Sequence, residues 1–214
     1  MVKRLFDAAA ALIGCILLLV PFLLLCGILR LVSHGPLFFA QQRVGQFAKP
    51  FTCIKFRTMR TGADRDGAIT TAVDGRITAS GRILRRLKID ELPQLWNVLI
   101  GTMSLVGPRP DVPGYADRLT GEAKRILCLR PGITGPATVY FRYEEQLLAA
   151  VADPVRFNDE VIWPMKVAMN LHYLESWSLA GDIGLLSITV MPWLNRFLKL
   201  VPEPPLDPES LQAR

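Results

Sequence analysis

No charged residue interrupts the chain between Asp7 and Arg30, and from Ala8 to Leu29 about 22 residues are almost all apolar. A run of that length reaches across the hydrocarbon core of a bilayer. A signal peptide has a shorter apolar core and a small-residue cleavage site ahead of a polar start. Here the run passes directly into Arg30 and a basic region, which reads as a retained anchor. Hydrophobic residues make up 50% of the 214, and the excess lies in this run. The chain therefore divides into an anchor at 1–34, an ordinary domain at 35–201 and a flexible, proline-rich tail at 202–214.

Lys3 and Arg4 precede the run, while Arg30, Arg43 and Lys49 follow it, so the positive-inside rule offers no asymmetry to carry one end across. Pro21 lies near the centre, where its missing N–H bends a helix. Two geometries stay open on this reading. One is a kinked helix that spans; the other is a helix broken at Pro21 that dips into one leaflet and returns to the same face.

The net charge is +6, and Lys and Arg crowd into residues 41–88. Such a face suits nucleic acid, anionic lipid or a phosphorylated substrate. No helix-turn-helix, zinc-finger or aromatic RNA-binding pattern accompanies it, so nucleic acid is not expected as a partner. Cys15, Cys26, Cys53 and Cys128 show no C-x-x-C pairing, which argues against a disulfide framework or a zinc site. His34 and His172 are not expected to be catalytic. Asp64-Arg65-Asp66 has the form of a metal-binding D-x-D, but no strand precedes it, and it reads as solvated loop. Neither a Walker A pattern nor G-x-G-x-x-G occurs.

The expected fold class is α+β, mainly helical. Short strands or turns are predicted over 36–56 and a loop over 61–81. Helical spacing runs from Ile83 to Ile100 with a break at Pro93, and another helix is predicted over Asp117–Leu129. Pro164 opens a helix with Val167, Leu171 and Leu174 on one side. Asp182 is expected to cap a further helix that Pro192 interrupts. Trp163, Trp177 and Trp193 suit either core packing or a membrane interface.

The densest chemistry is Lys88-Ile89-Asp90-Glu91-Leu92-Pro93-Gln94-Leu95-Trp96-Asn97. Adjacent carboxylates at a helix start are common without function. Here they sit among Lys55-Phe56-Arg57, Arg82, Arg85, Arg86, Gly107-Pro108-Arg109-Pro110, Arg130-Pro131-Gly132 and Arg142. Phosphoryl transfer uses such a set: a carboxylate attacks phosphorus, Mg²⁺ bridges phosphate oxygens and arginine forks hold the rest.

The run Asp90–Leu99, the run Met103-Ser104-Leu105-Val106-Gly107-Pro108-Arg109-Pro110 and the run Arg130–Gly135 resemble the bacterial sugar transferase family, the monotopic phosphoglycosyl transferases. The resemblance extends from Lys3 to about Leu200. It implies that a UDP-sugar donates its sugar phosphate to a polyprenyl (undecaprenyl) phosphate with release of UMP. It also implies a re-entrant anchor and an interfacial catalytic domain on the cytoplasmic face of the bacterial inner membrane. By the same resemblance Asp90 is the nucleophile and Glu91 its partner, both beside Mg²⁺. Lys55, Arg57, Arg85, Arg109 and Arg142 are the expected phosphate-facing cations. Two positions depart from the family pattern: Val20 stands where many small members have Ser before the anchor proline, and 135–145 differs from the better-known Gly-Leu-Ala-Gln form. Two rivals make different products. A membrane glycosyltransferase would release UDP, and a basic lipid-binding module would have no use for Asp90 and Glu91.

Overall fold

The structure, a computed structural model, describes residues 1–33, 35–63, 70–71, 74–205 and 208. His34, Asp64 and Asp66 lie outside the described residues, as does most of the tail, although Pro205 is buried.

The apolar run forms two helices, α1 (Val2–Leu17) and α2 (Leu19–Val32), bent by 59°. Neither alone is long and apolar enough to cross a membrane. The break is not at Pro21, as the sequence suggested, but at Leu18. Pro21 still explains it, because a proline has no N–H for the carbonyl four residues back and its ring crowds that carbonyl. That carbonyl belongs to Leu17, the last residue of α1, so the ladder parts there and Pro21 sits in the first turn of α2.

Each helix uses one face inside the protein. Ala11 is fully buried in the main core, with Phe6 and Ala10 beside it. Leu29 of α2 is buried with Phe56 and Leu84, and Phe22, Leu25 and Cys26 pack around them. The other faces expose Leu12, Ile13, Ile16, Leu23, Leu24, Ile28 and Leu31.

The first turn of α1 is fixed by charge. Lys3 donates to Asp182 at 2.6 Å, and Arg4 donates to the carbonyls of Val98 and Leu99 at 2.6 and 2.7 Å. The second contact fills carbonyls that a helix end leaves unpaired, here those of α4 (Gln94–Ile100), introduced in sequence below.

After the bent helix pair come β1 (Phe38–Val44) and β2 (Pro50–Phe56), an antiparallel hairpin in which Gln41 faces Cys53 and Phe39 faces Lys55. Helix α3 (Ala79–Leu87) follows, capped by Thr78, whose hydroxyl accepts from the Gly81 N–H. The loop expected over 61–81 therefore ends earlier than the sequence suggested, and its described part pairs Met59 with Ile77. The helical stretch is broken from Lys88 (φ 58°) through Pro93, the N-cap of α4, with one 3₁₀ turn over Ile89–Glu91 between, so the break expected at Pro93 begins five residues earlier.

Strands β3 (Ser104–Val106) and β4 (Gly132–Thr134) pair in parallel. A Cβ on Gly107 would lie 2.3 Å from the Arg130 carbonyl, and one on Gly132 would lie 2.2 Å from the Gly107 nitrogen. These glycines let the two Gly-Pro runs of the sequence meet backbone on backbone. Between them, the helix expected over 117–129 is two 3₁₀ segments, Ala116–Arg118 and Gly121–Cys128.

The remainder is helical: α5 (Pro136–Tyr140), α6 (Glu144–Ala149), α7 (Pro154–Phe157), α8 (Trp163–Ser176), α9 (Leu179–Val190) and α10 (Asn195–Leu198). Pro164 does open α8, but its buried positions are Val167, Asn170 and Tyr173, with Leu171 and Leu174 only half-buried. Ser178, not Asp182, caps α9. Asp182 is completely buried and accepts from Lys3, Tyr173 and Trp177. Of the tryptophans, Trp163 packs edge-on against Tyr115, whereas Trp193 is exposed beside Phe197.

Candidate active site

The hairpin presents its inner face to a cleft. Alternation along β1 and β2 puts Gln41 and Arg43 beside Cys53 and Lys55, and all four line the cleft with Glu91, Gln94, Arg109 and Pro110. The acidic pair arrives by a tight turn. Ile89 and Leu92 pack against the cluster of Leu29, Phe56 and Leu84, so the Asp90-Glu91 step between them is held by an apolar residue on each side.

Of the motif's two amides, Gln94 lines the cleft and Asn97 is structural. Asn97 is buried, donating to the Thr52 carbonyl at 2.8 Å and accepting from the Ile54 N–H at 3.2 Å. It ties α4 to β2 and so holds the acidic turn against Lys55.

Two adjacent carboxylates meet opposite environments. Glu91 accepts from Arg109 at 2.7 Å. Burial pushes its pKa up, but Arg109 outweighs it and leaves the group below the ordinary carboxylate range. Asp90 is only 7% exposed, and its Oδ1 is buried with no hydrogen-bond partner among the described residues. Burial first and the Glu91 charge second push its pKa up, against the pull of Lys55, Arg85 and Arg109. A buried acceptor left unpaired costs free energy that a satisfied one does not. Pairs driven apart in this way mark distinct chemical roles.

The cations are also differentiated. Lys55 lies over the Phe39 ring, and burial, reinforced by Arg43, Arg109 and Arg85, brings its pKa down to about 8. Arg109 is held protonated by Glu91. Arg85 bonds Glu145 of α6 and leans on the Thr58 hydroxyl at 3.4 Å. Of the expected cations the structure thus brings Lys55, Arg85 and Arg109 to Asp90. Arg57 is bonded to Thr61 at 2.7 Å and Arg142 stands over Tyr143 at 5.8 Å; neither lines the cleft.

The sequence reading missed Arg43 as a cleft residue, treating it as a flank of the anchor. Arg43 donates to Gln41 and to the Pro110 carbonyl at 2.9 Å. Period-two spacing was the available signal, since Gln41 and Arg43 share a face with the partners of Cys53 and Lys55. Asp111 lies just past Pro110 and outside the cleft lining; burial pushes it up to about 6, against Lys166, Arg43 and Arg109.

Among the described residues no three metal-ligating side chains gather. Asp90 Oδ1 is nevertheless the sort of atom a hard cation takes, and Mg²⁺ binds through one or two carboxylates, phosphate oxygens and water. Glu91 is already engaged by Arg109.

Asp90 is buried under the influence of Lys55, Arg85 and Arg109, and similarity to named sugar-phosphate transferases makes the chain a transferase of phosphorus-containing groups. The chain belongs to the bacterial sugar transferase family, whose model matches residues 1–196. It is similar to an uncharacterized sugar transferase of Bacillus subtilis, 38% identical over 88% of this chain and 85% of the relative. It is also similar to the UDP-glucose:undecaprenyl-phosphate glucose-1-phosphate transferase of Caulobacter vibrioides, 40% identical over 88% of this chain and 68% of that one. A further similarity is to the undecaprenyl-phosphate glucose phosphotransferase of Komagataeibacter xylinus, 40% identical over 88% of this chain but only 35% of that longer protein.

Proposed function

We propose that this chain transfers a sugar 1-phosphate from a UDP-sugar to a polyprenyl phosphate through a covalent intermediate on Asp90. The observation that carries the reading is the buried, unpartnered Asp90 Oδ1 set against Lys55, Arg85 and Arg109. In the first step an Asp90 oxygen attacks the donor's β-phosphorus. The bond from that phosphorus to the bridging oxygen breaks, and UMP leaves with the electron pair. In the second step an oxygen of polyprenyl phosphate attacks the same phosphorus. The bond to Asp90 breaks, giving a polyprenyl diphosphosugar and the free carboxylate. Arg109, oriented by Glu91, and Lys55 hold the phosphate oxygens through both steps. Bound Mg²⁺, held by Asp90 and by the donor's own oxygens with Glu91 alongside, would neutralise the pyrophosphate.

The same reading puts the site on the cytoplasmic face beside a re-entrant anchor. What supports it is that both ends of the bent pair touch one domain: Lys3 reaches Asp182, and Leu29 packs on Phe56 and Leu84. Helix ends bound to one folded unit share its side of a bilayer. Soluble donor and headgroup-level acceptor then meet at the interface.

The test is product analysis. Incubation with a panel of UDP-sugars and polyprenyl phosphate should release UMP, and mass spectrometry with donor alone should show a phosphosugar adduct. Release of UDP without an adduct would assign the chain to the glycosyltransferase rival. For topology, single cysteines at Val2 and Pro36 in a cysteine-free background should both resist a membrane-impermeant thiol reagent on intact cells. Outside labelling at position 2 would make the pair a span.

A further inference from the structure

We propose that the outer face of α3 is a docking surface for anionic phospholipid headgroups, and that lipid bound there sets the placement of Asp90. Three faces of this short helix do three things. Gly81 and Leu84 are buried, Gly81 so tightly that a Cβ would lie 2.0 Å from the Thr58 carbonyl oxygen. Arg85 bonds Glu145 and acts electrostatically on Asp90. Arg82, Ile83, Arg86 and Leu87 are all exposed, with Ile83 and Leu87 each 61% exposed.

That outward set inverts what a water-facing helix shows, since the solvent side of a soluble helix is polar. Residues four apart are neighbours on a helix. The Ile83–Leu87 pair therefore forms an apolar strip beside a cationic strip of Arg82 and Arg86, which exposed Lys88 extends. Among the described residues none of these three cations forms an ion pair. Helix α3 packs on the bent pair: its buried Leu84 shares a cluster with Leu29 of α2, which itself exposes Leu23, Leu24, Ile28 and Leu31.

Charge decides between occupants. A second copy meeting this face about a two-fold axis would bring its arginines against these. A zwitterionic headgroup would take the apolar strip and leave the arginines without a counter-charge. An anionic headgroup satisfies both strips, the apolar pair in the acyl boundary and the guanidiniums at the phosphates. The consequence for the site is direct, because only Lys88, in a left-handed turn, and Ile89 separate α3 from Asp90.

This proposal rests on the membrane placement of the bent pair, so the experiment carries a control for it. In a variant without native cysteines, an environment-sensitive fluorophore is placed at Ile83→Cys, and separately at Leu24→Cys, in the full chain reconstituted into bilayers. Spin-labelled acyl chains should quench the Leu24 probe whatever the headgroup. The Ile83 probe should be quenched in phosphatidylcholine bilayers containing phosphatidylglycerol, and much less in phosphatidylcholine alone or at high salt. Arg82→Gln with Arg86→Gln should raise the phosphatidylglycerol content needed for half-maximal quenching by about threefold or more. UMP release should rise with phosphatidylglycerol in the wild type and respond less in that double variant. A quenched Leu24 probe with an unquenched Ile83 probe, or equal quenching at Ile83 in both lipids, overturns the proposal. Protection at position 83 that tracks protein density and crosslinks two copies also overturns it in favour of a self-interface. An unquenched Leu24 probe overturns the membrane placement and this proposal with it. Loss of UMP release with normal quenching touches the transferase reading alone.

Discussion

Two sets of buried carboxylates occupy this small protein, and they are treated in opposite ways. At the base of α1, Asp7 accepts from the Ser104 hydroxyl at 2.8 Å and the Leu105 N–H at 3.2 Å, one bond to each oxygen. Asp182 accepts from Tyr173 on one oxygen and from Lys3 and Trp177 on the other. At the acidic pair, Glu91 has Arg109, and Asp90 has an oxygen with no hydrogen-bond partner among the described residues. Burial is similar in the two places; satisfaction is not. Satisfied buried acids hold elements together, here the anchor's first turn, β3 and α9. An acid kept dry and underbonded retains the lone pairs that an electrophile or a cation needs. On the proposed mechanism, the number of donors and not depth separates a clamp from a reagent.

The contrast can be broken most severely at Asp90. Asp90→Asn should lower turnover by roughly 10⁴- to 10⁶-fold, the scale seen when a covalent nucleophile is removed, and abolish the phosphosugar adduct while leaving the denaturation midpoint near wild type. Full activity in that variant would end the covalent reading. Glu91→Gln, which loosens Arg109, should leave a trace of activity. Thorough chelation should likewise stop UMP release, and Mg²⁺ should restore it; undiminished turnover without divalent cations would remove the metal from the mechanism.

Asp182 should behave in reverse. Asp182→Asn turns an acceptor into a partial donor facing Lys3, Tyr173 and Trp177, and should cost about 3 kcal/mol of stability, at the low end because Lys3 is partly solvated. Denaturant titration measures it. Activity per folded molecule should hold, since no atom of Asp182 lines the cleft.

The smallest effect sharpens the comparison on the cationic side. Lys55 loses its proton as pH rises through about 8, so activity should fall on the alkaline side there. It should fall on the acid side as Asp90, whose pKa is raised, takes up a proton. Lys55→Arg should remove the alkaline limb and leave the acid limb in place. For stability the sign is opposite on the Lys55 side: its folded pKa is below the unfolded value, so between about 8 and 10.5 the unfolded chain binds more protons. Lys55 then makes stability rise with pH across that window.

Much of the site could be read directly. Ile89 and Leu92 around an acidic pair, and glycines that pack backbone on backbone, leave local marks in the sequence. Lys55, Arg85 and Arg109 could be named because motifs carry them. Arg43 carries a period-two signal whose meaning depends on the register in which the two strands pair, and neither Arg57 nor Arg142, named on the same footing as Lys55, lines the cleft.

By itself the sequence determined the apolar run, the presence of a break in it, and the acidic pair among cations. Each of these depends on residue types that are near neighbours along the chain. Only the tertiary structure decided where the break falls, which cations face Asp90, and that Asp7 and Asp182 serve as clamps. Lys3 and Asp182 lie 179 residues apart, and no local pattern marks a lone acid in an apolar helix as satisfied. Whether a buried charge is paired depends on donors brought from elsewhere in the chain, and that is settled only when the chain has closed on itself.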